Sequence, residues 1–156
     1  VEHLKSYHKS FSDLIDSKSE VKKLATHFKF TEGPVWNPKD NYLLFSDMVS
    51  DTIRKYTMDG KIIDLFHPTN KVNGMTYDKD LNLIVCEHTS SSLVRINKDG
   101  SKDVIASHYD GKELNSPNDV CVRSDGLIFF TDPCFGRADW PGGVKRDPEL
   151  DFQGVL

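Results

Sequence analysis

Apolar and polar residues alternate with a period of two along 52–57 and 92–97, which is the pattern of half-buried β-strands. The runs Tyr42-Leu43-Leu44-Phe45 and Leu83-Ile84-Val85-Cys86 are too short for core helices and rich in β-forming residues. Turn residues precede each run, namely Pro38-Lys39-Asp40 and Asp78-Lys79-Asp80. The pattern predicts an all-β fold of short antiparallel strands.

Three segments of the chain repeat one pattern, and their starts lie 41 and 45 residues apart. Each segment opens on a side-chain oxygen, passes through a short strand and a polar turn, and ends in an apolar strand. Two more strands follow each of the first two segments, and four strands every ~40–45 residues is the period of a β-propeller blade. An all-β sandwich with accidental internal similarity is the alternative. The gapless alignment places the segments at 32–47, 73–88 and 118–133.

The repeats predict part of a six-bladed β-propeller, with about two and a half four-stranded blades. The third repeat holds two strands, and residues 153–156 begin a third. Residues 21–26 precede the first repeat as a fourth strand would, so we expect an outer strand of a further blade there. We assign 21–156 to an incomplete propeller domain and 1–20 to an N-terminal extension with room for one short helix. An open arc exposes sheet edges, so either the sequence is truncated or a second chain completes the propeller.

Composition narrows the classes of partner. Hydrophobic residues make up 37% of the chain and charged residues 28%, an ordinary soluble balance. The net charge of −4 gives no basic face for nucleic acid, and no apolar run approaches the ~18 residues of a membrane span. The first residues show neither an apolar leader nor an initiator Met, which leaves cytoplasmic and periplasmic locations open. Three cysteines without a CxxC pair argue against a disulfide framework and against a zinc site.

Glu32, Asn73 and Asn118 open the three repeats. Equivalent positions of successive blades surround one axis, so these side chains are expected to converge at the mouth of the central channel. One carboxylate and two amide oxygens suit Ca²⁺, which prefers hard oxygen ligands. The alternative is that Asn73-Gly74 and Asn118-Asp119 are turn residues without a ligand.

Several motifs together resemble the SMP-30/gluconolactonase family of sugar lactone hydrolases. The resemblance runs from about Val21 to the last residue and implies a six-bladed propeller. It also implies one divalent metal at the channel mouth, usually Ca²⁺ and otherwise Zn²⁺, Mg²⁺ or Mn²⁺. The implied reaction is hydrolysis of a sugar lactone such as glucono-1,5-lactone. The motifs are FTEGPVW at 30–36, CEH at 86–88, LNSPNDV at 114–120, FTDP at 130–133 and LDFQGV at 150–155.

The same resemblance assigns roles to residues. It implies that Glu32 is a metal ligand and that Asn118 contacts the metal or the substrate. Asn73, which opens the second repeat, is expected to bind the substrate. The family's remaining ligands come from later blades, so we expect this chain alone to be inactive. A non-catalytic propeller fragment that acts as a binding module is the alternative function.

His88 ends the second strand of the second blade, where related paraoxonase-like propellers place a general-base histidine. A base that titrates near neutral pH suits lactone hydrolysis. The alternative is that His88 is a surface or packing histidine, in which case a carboxylate of a later blade accepts the proton. Asp132 either orients water or His88 as a second catalytic residue, or hydrogen-bonds the turn before Pro133.

Overall fold

The computed structural model describes residues 5–16 and 18–156, and its architecture is the all-β arc that the repeats predict. Two four-stranded antiparallel sheets have the sequential strand orders β1-β2-β3-β4 and β5-β6-β7-β8, the meander of propeller blades. A two-stranded hairpin and the two-stranded start of a third blade follow. The strands are β1 (Thr31–Asn37), β2 (Tyr42–Asp47), β3 (Thr52–Thr57), β4 (Ile62–Phe66), β5 (Val72–Tyr77), β6 (Leu83–Glu87), β7 (Ser92–Ile96), β8 (Lys102–Ala106), β9 (His108–Tyr109), β10 (Lys112–Glu113), β11 (Val120–Val122) and β12 (Ile128–Phe130).

Alternation along the second strand of each blade supplies the core between blades. In β6, Leu83 and Val85 face the first blade, whereas Ile84 and Cys86 face the third. All four side chains are at most 5% exposed. Because β6 is apolar on both faces, it packs against both neighbouring blades, and blade two is the most buried part of the arc.

The chain ends add to this arc in two ways. Leu156 exchanges both backbone hydrogen bonds with Phe130, at 2.9 and 3.0 Å. Residues 154–156 therefore pair with β12 in the way that the start of the third strand of this blade would. In the N-terminal extension, the residues Lys9–Asp13 form a 3₁₀-helix. None of the helices in the described ranges has the length and apolar character needed to cross a bilayer.

The outer strand predicted at 21–26 stays a prediction, because these residues have no strand structure here and the other strands of the further blade to which it was assigned are not among the described residues. The segment instead lies along the outer face of blade one, where Phe28 packs edge-on against Phe45 with ring centroids 5.2 Å apart. A strand needs a neighbouring backbone to hydrogen-bond. No strand of the described residues lies beside 21–26 to provide one.

Glycine brings the inner strands of successive blades together. A Cβ on Gly33 would lie 2.2 Å from the carbonyl oxygen of Asn73, and one on Gly74 would lie 2.5 Å from that of Asn118. The Gly74 N–H also donates to the Asn118 carbonyl at 2.7 Å. The residue after each of the first two repeat starts must therefore lack a side chain, so that the three starts can meet at the axis.

A candidate active site at the channel mouth

The three repeat starts and His88 line one cavity of about 500 Å³ at the end of the inner strands. Asn73 and His88 form its buried floor, at 6% and 0% exposure, while Glu32 and Asn118 lie toward its open side. Apolar side chains complete the wall. They are Phe30, Met48, Phe135, Ala138 and Trp140. Polar groups at the base of an apolar pocket are the usual arrangement of a small-molecule site.

The hydrogen bonds of His88 define its proton positions. Its Nδ1 lies 3.3 Å from the carbonyl oxygen of Gly142, which can only accept, so Nδ1 carries the proton. Its Nε2 faces the Nδ2 amide of Asn73 at 3.5 Å and is left as the acceptor. Burial lowers the pKa of His88; the nearby charges of Arg146 and Lys71 also lower it, against the Gly142 bond. Burial thus favours the neutral imidazole, whose Nε2 lone pair faces Asn73 at the floor of the cavity.

Asp132 is not brought to this cavity. Its two oxygens accept the backbone N–H groups of Asn115 and Ser116, both at 2.8 Å, and the residue is 1% exposed. Burial raises its pKa despite these hydrogen bonds. These contacts match neither of the two roles considered for Asp132, since the carboxylate holds the loop that leads into β11 and not the turn before Pro133.

The strand pairing also corrects the gapless alignment by one residue. Thr31 pairs with Asp47, and Val72, which precedes Asn73 as Thr31 precedes Glu32, pairs with Glu87. His88 therefore matches Met48 rather than Asp47. The reason is the hairpin between the first two strands of each blade. Residues 38–41 connect the first pair, whereas in the second blade residues 79–81 lie between Asp78 and Asn82, which are hydrogen-bonded to each other.

Residues 134–146, here called the cap segment, form one wall of the cavity. Trp140 of this segment packs edge-on against Phe30, with ring centroids 5.4 Å apart, and its indole N–H donates to the Phe135 carbonyl. Gly136 lies against the His88 ring so closely that a Cβ there would be 2.7 Å from the imidazole Cγ. The cap segment was not predicted as part of the site.

Two arginines, the buried Arg137 and the part-buried Arg146, hold the cap segment in place. Arg137, 5% exposed, donates to the carbonyls of Asn115, Leu114 and Asp147. Arg146 donates to the carbonyl of His88 at 2.8 Å and to the Ser91 hydroxyl. Charge-assisted bonds to backbone carbonyls are among the stronger hydrogen bonds in a protein. The cap segment is therefore a built wall and not a loose loop.

The donor set of the cavity fits a hard divalent cation. Glu32 supplies a carboxylate, and Asn73 and Asn118 supply amide oxygens, which are the ligand types of Ca²⁺ sites. No cluster of three or more His, Cys, Asp or Glu side chains occurs among residues 5–16 and 18–156. The set is thus poor in the nitrogen and sulfur ligands that zinc prefers.

Fold and cavity together define a class: a β-propeller, here an arc of blades, whose candidate site lies where the inner strands begin. Comparison with known sequences makes this specific, because the signature of the SMP-30/Gluconolactonase/LRE-like region matches residues 30–147. The chain belongs to this family.

Known relatives agree with that assignment. A gluconolactonase of Zymomonas mobilis is 28% identical and is matched over 92% of this chain and 44% of its own length. The structure of a Xanthomonas campestris gluconolactonase is 36% identical, with a TM-score of 0.81 over 85% of this chain and 44% of that one. A candidate gluconolactonase structure is 35% identical, with a TM-score of 0.87 over 96% and 52%. The chain thus spans about half the length of these relatives.

Proposed function

We propose that this chain supplies the first half of the active site of a sugar lactone hydrolase that opens a lactone such as glucono-1,5-lactone to its hydroxy acid. One observation carries the proposal: the cavity unites a neutral, oriented histidine with a carboxylate and two amides. The names of the relatives agree with the reaction class. The activity belongs to a protein that also contains the later blades, because the chain covers about half of these relatives.

In the proposed reaction, water attacks the lactone carbonyl carbon, and Nε2 of His88 accepts the proton that this water loses. The ring oxygen then leaves and is protonated as the new hydroxyl group. Asn73 and Asn118 orient the lactone through their amide groups, since both line the same cavity. Phe30 and Trp140 exclude bulk water on the cap side, which strengthens the polar interactions inside.

A divalent cation, Ca²⁺ before Zn²⁺, Mg²⁺ or Mn²⁺, would be held by Glu32 and Asn118 together with ligands from later blades. When bound, it supplies Lewis-acid stabilisation of the oxyanion. Glu32 is the carboxylate that the described cavity offers to such an ion. Its placement at the second residue of β1 puts it beside Gly33, whose contact with Asn73 sets the spacing of β1 and β5.

The test is lactone hydrolysis by the complete propeller that contains this sequence, followed by acid release in a weakly buffered indicator. We expect His88→Gln to lower kcat by about 10²–10⁴-fold, the usual contribution of a positioned general base, with metal affinity nearly unchanged. His108→Gln, at an exposed histidine of β9, is the matched control and should leave kcat intact. A fully active His88→Gln protein would remove His88 from the mechanism. Lactone binding without hydrolysis by the unaltered protein would instead support the binding-module alternative.

A further inference from the structure

The cap segment is tied to the strand that carries Asn73 by a single lysine. Lys71 lies at the entry to β5, and its ammonium group donates to the carbonyl oxygen of Pro141 at 2.7 Å. The next residue, Gly142, is the one whose carbonyl accepts from Nδ1 of His88. The lysine thus holds the peptide unit adjacent to the acceptor that orients the histidine.

Three hydrogen bonds hold the Nδ1 side of the imidazole, the His88 main chain and the loop beside them. Gly142 fixes the ring through Nδ1, Arg146 fixes the main chain through the His88 carbonyl, and Lys71 fixes the loop that presents Gly142. Gly136 closes one side of the ring, where a Cβ would overlap it. The ring has little room to flip, so the choice of tautomer depends on where the Gly142 carbonyl lies.

We propose that the Gly142 carbonyl selects the Nδ1–H tautomer of His88 and that Lys71 is a positioning residue which keeps that carbonyl in place. Without this acceptor, histidine in water prefers the Nε2–H tautomer, in which the cavity-facing nitrogen would donate a proton and could not accept one. The tautomer follows from the contacts alone. Its catalytic consequence rests on the proposed function, since it is the lone pair on Nε2 that would accept the proton from water.

Histidine-labelled protein gives a direct test, because long-range ¹H–¹⁵N correlation spectra distinguish protonated from unprotonated ring nitrogens. At a pH where His88 is neutral, we expect a protonated Nδ1 and an unprotonated Nε2, with the signals assigned by their loss in His88→Gln. Lys71→Met should shift the population toward Nε2–H, and Lys71→Arg, which keeps a donor for Pro141, should restore the original pattern.

Lys145→Met is the matched control, because Lys145 lies in the same cap segment but is mostly exposed and reaches Asp139 at 3.8 Å. Its spectrum should equal that of the unaltered protein. An Nε2–H tautomer in the unaltered protein, or an unchanged tautomer in Lys71→Met, would overturn the proposal. Unchanged signals from the other histidines show that Lys71→Met has folded.

A kinetic arm separates this proposal from the proposed function. In an active lactonase, Lys71→Met should lower kcat about 10–100-fold, as loss of an orienting partner usually does, with KM nearly unchanged. If the protein hydrolyses no lactone while the tautomer still depends on Lys71, the proposed function fails and the positioning role stands. If kcat falls while the tautomer is unchanged, the positioning role fails.

Discussion

Replacing Gly33 by alanine would test whether the glycines at the axis set the distance between blades. Gly33 has a φ of 50°, in the left-handed region, and a Cβ there would lie 2.2 Å from the Asn73 carbonyl oxygen and 2.9 Å from the Gly74 Cα. Both neighbouring atoms belong to backbone, so neither can yield by a change of rotamer. The strand β1 must then move away from β5.

The expected cost has two parts. An alanine in the left-handed region costs about 1–2 kcal/mol, and overpacking against fixed atoms adds about 1–3 kcal/mol. Gly60→Ala isolates the first part, because Gly60 has a φ of 84° but no atom within 4 Å of its added Cβ. We therefore expect Gly33→Ala to lose about 2–5 kcal/mol of unfolding free energy and Gly60→Ala about 1–2 kcal/mol.

Urea denaturation followed by intrinsic fluorescence measures both variants. With an m-value of about 2 kcal/mol/M, the midpoint should fall by about 1–2.5 M for Gly33→Ala and by less than about 1 M for Gly60→Ala. Equal midpoints for the two variants would refute the reasoning, since only the Cβ added at Gly33 meets atoms of the second blade.

The remaining predictions concern the site itself. Burial lowers the pKa of His88, so the unfolded chain binds a proton there that the folded chain does not. The free energy of unfolding should therefore fall as the pH drops below about 6.5. His88→Gln should flatten that part of the pH profile, whereas His108→Gln should leave it unchanged. Calorimetry on the complete protein should show Ca²⁺ binding that Glu32→Gln weakens and Glu20→Gln, outside the cavity, leaves alone; equal affinities would remove Glu32 from the ligand set. The purified 156-residue chain should hydrolyse glucono-1,5-lactone no faster than buffer, and robust activity of the monomer would contradict a need for later blades.

The strands could be read from the sequence because each blade carries its own signal. The apolar runs of β2 and β6, with a polar turn before each, place the strands within a residue or two of their observed bounds. The segment 21–26 has the same local pattern but lacks a partner among the described residues, and pairing is not a local property. A strand is predicted from its own residues, yet it exists only beside another.

The part of the site that lies in the repeats was predicted from the sequence, whereas the part that depends on long-range contacts was not. Glu32, Asn73 and Asn118 occupy equivalent places in a repeat, so symmetry alone brings them to one cavity. The cap segment has no counterpart in the first two blades, and the contact of Lys71 with Pro141 spans 70 residues. The spacing of residues in the sequence does not predict the contact of Lys71 with Pro141. The cluster Pro141-Gly142-Gly143 marks a turn, which is as far as sequence reasoning reaches there.

The paired strands also explain why Asp132 and His88, both near the end of a second strand, behave so differently. Asp47, Glu87 and Asp132 occupy one structural position, and each accepts hydrogen bonds from the loop that enters the first strand of its blade. The carboxylate oxygens of these acids are engaged in structural hydrogen bonds, because they accept from donors that would otherwise be buried without partners.

The residues that follow these acids are Met48, His88 and Pro133. Met48 and His88 line the cavity, whereas Pro133 does not. Each of the three described blades has an acid that anchors the loop before its first strand, whereas the residue after the acid differs from blade to blade. A histidine can therefore occupy that next position in one blade without loss of the anchoring hydrogen bonds. Among the three blades described, only blade two holds a histidine at this position, and the cap segment that follows β12 of the third blade orients it.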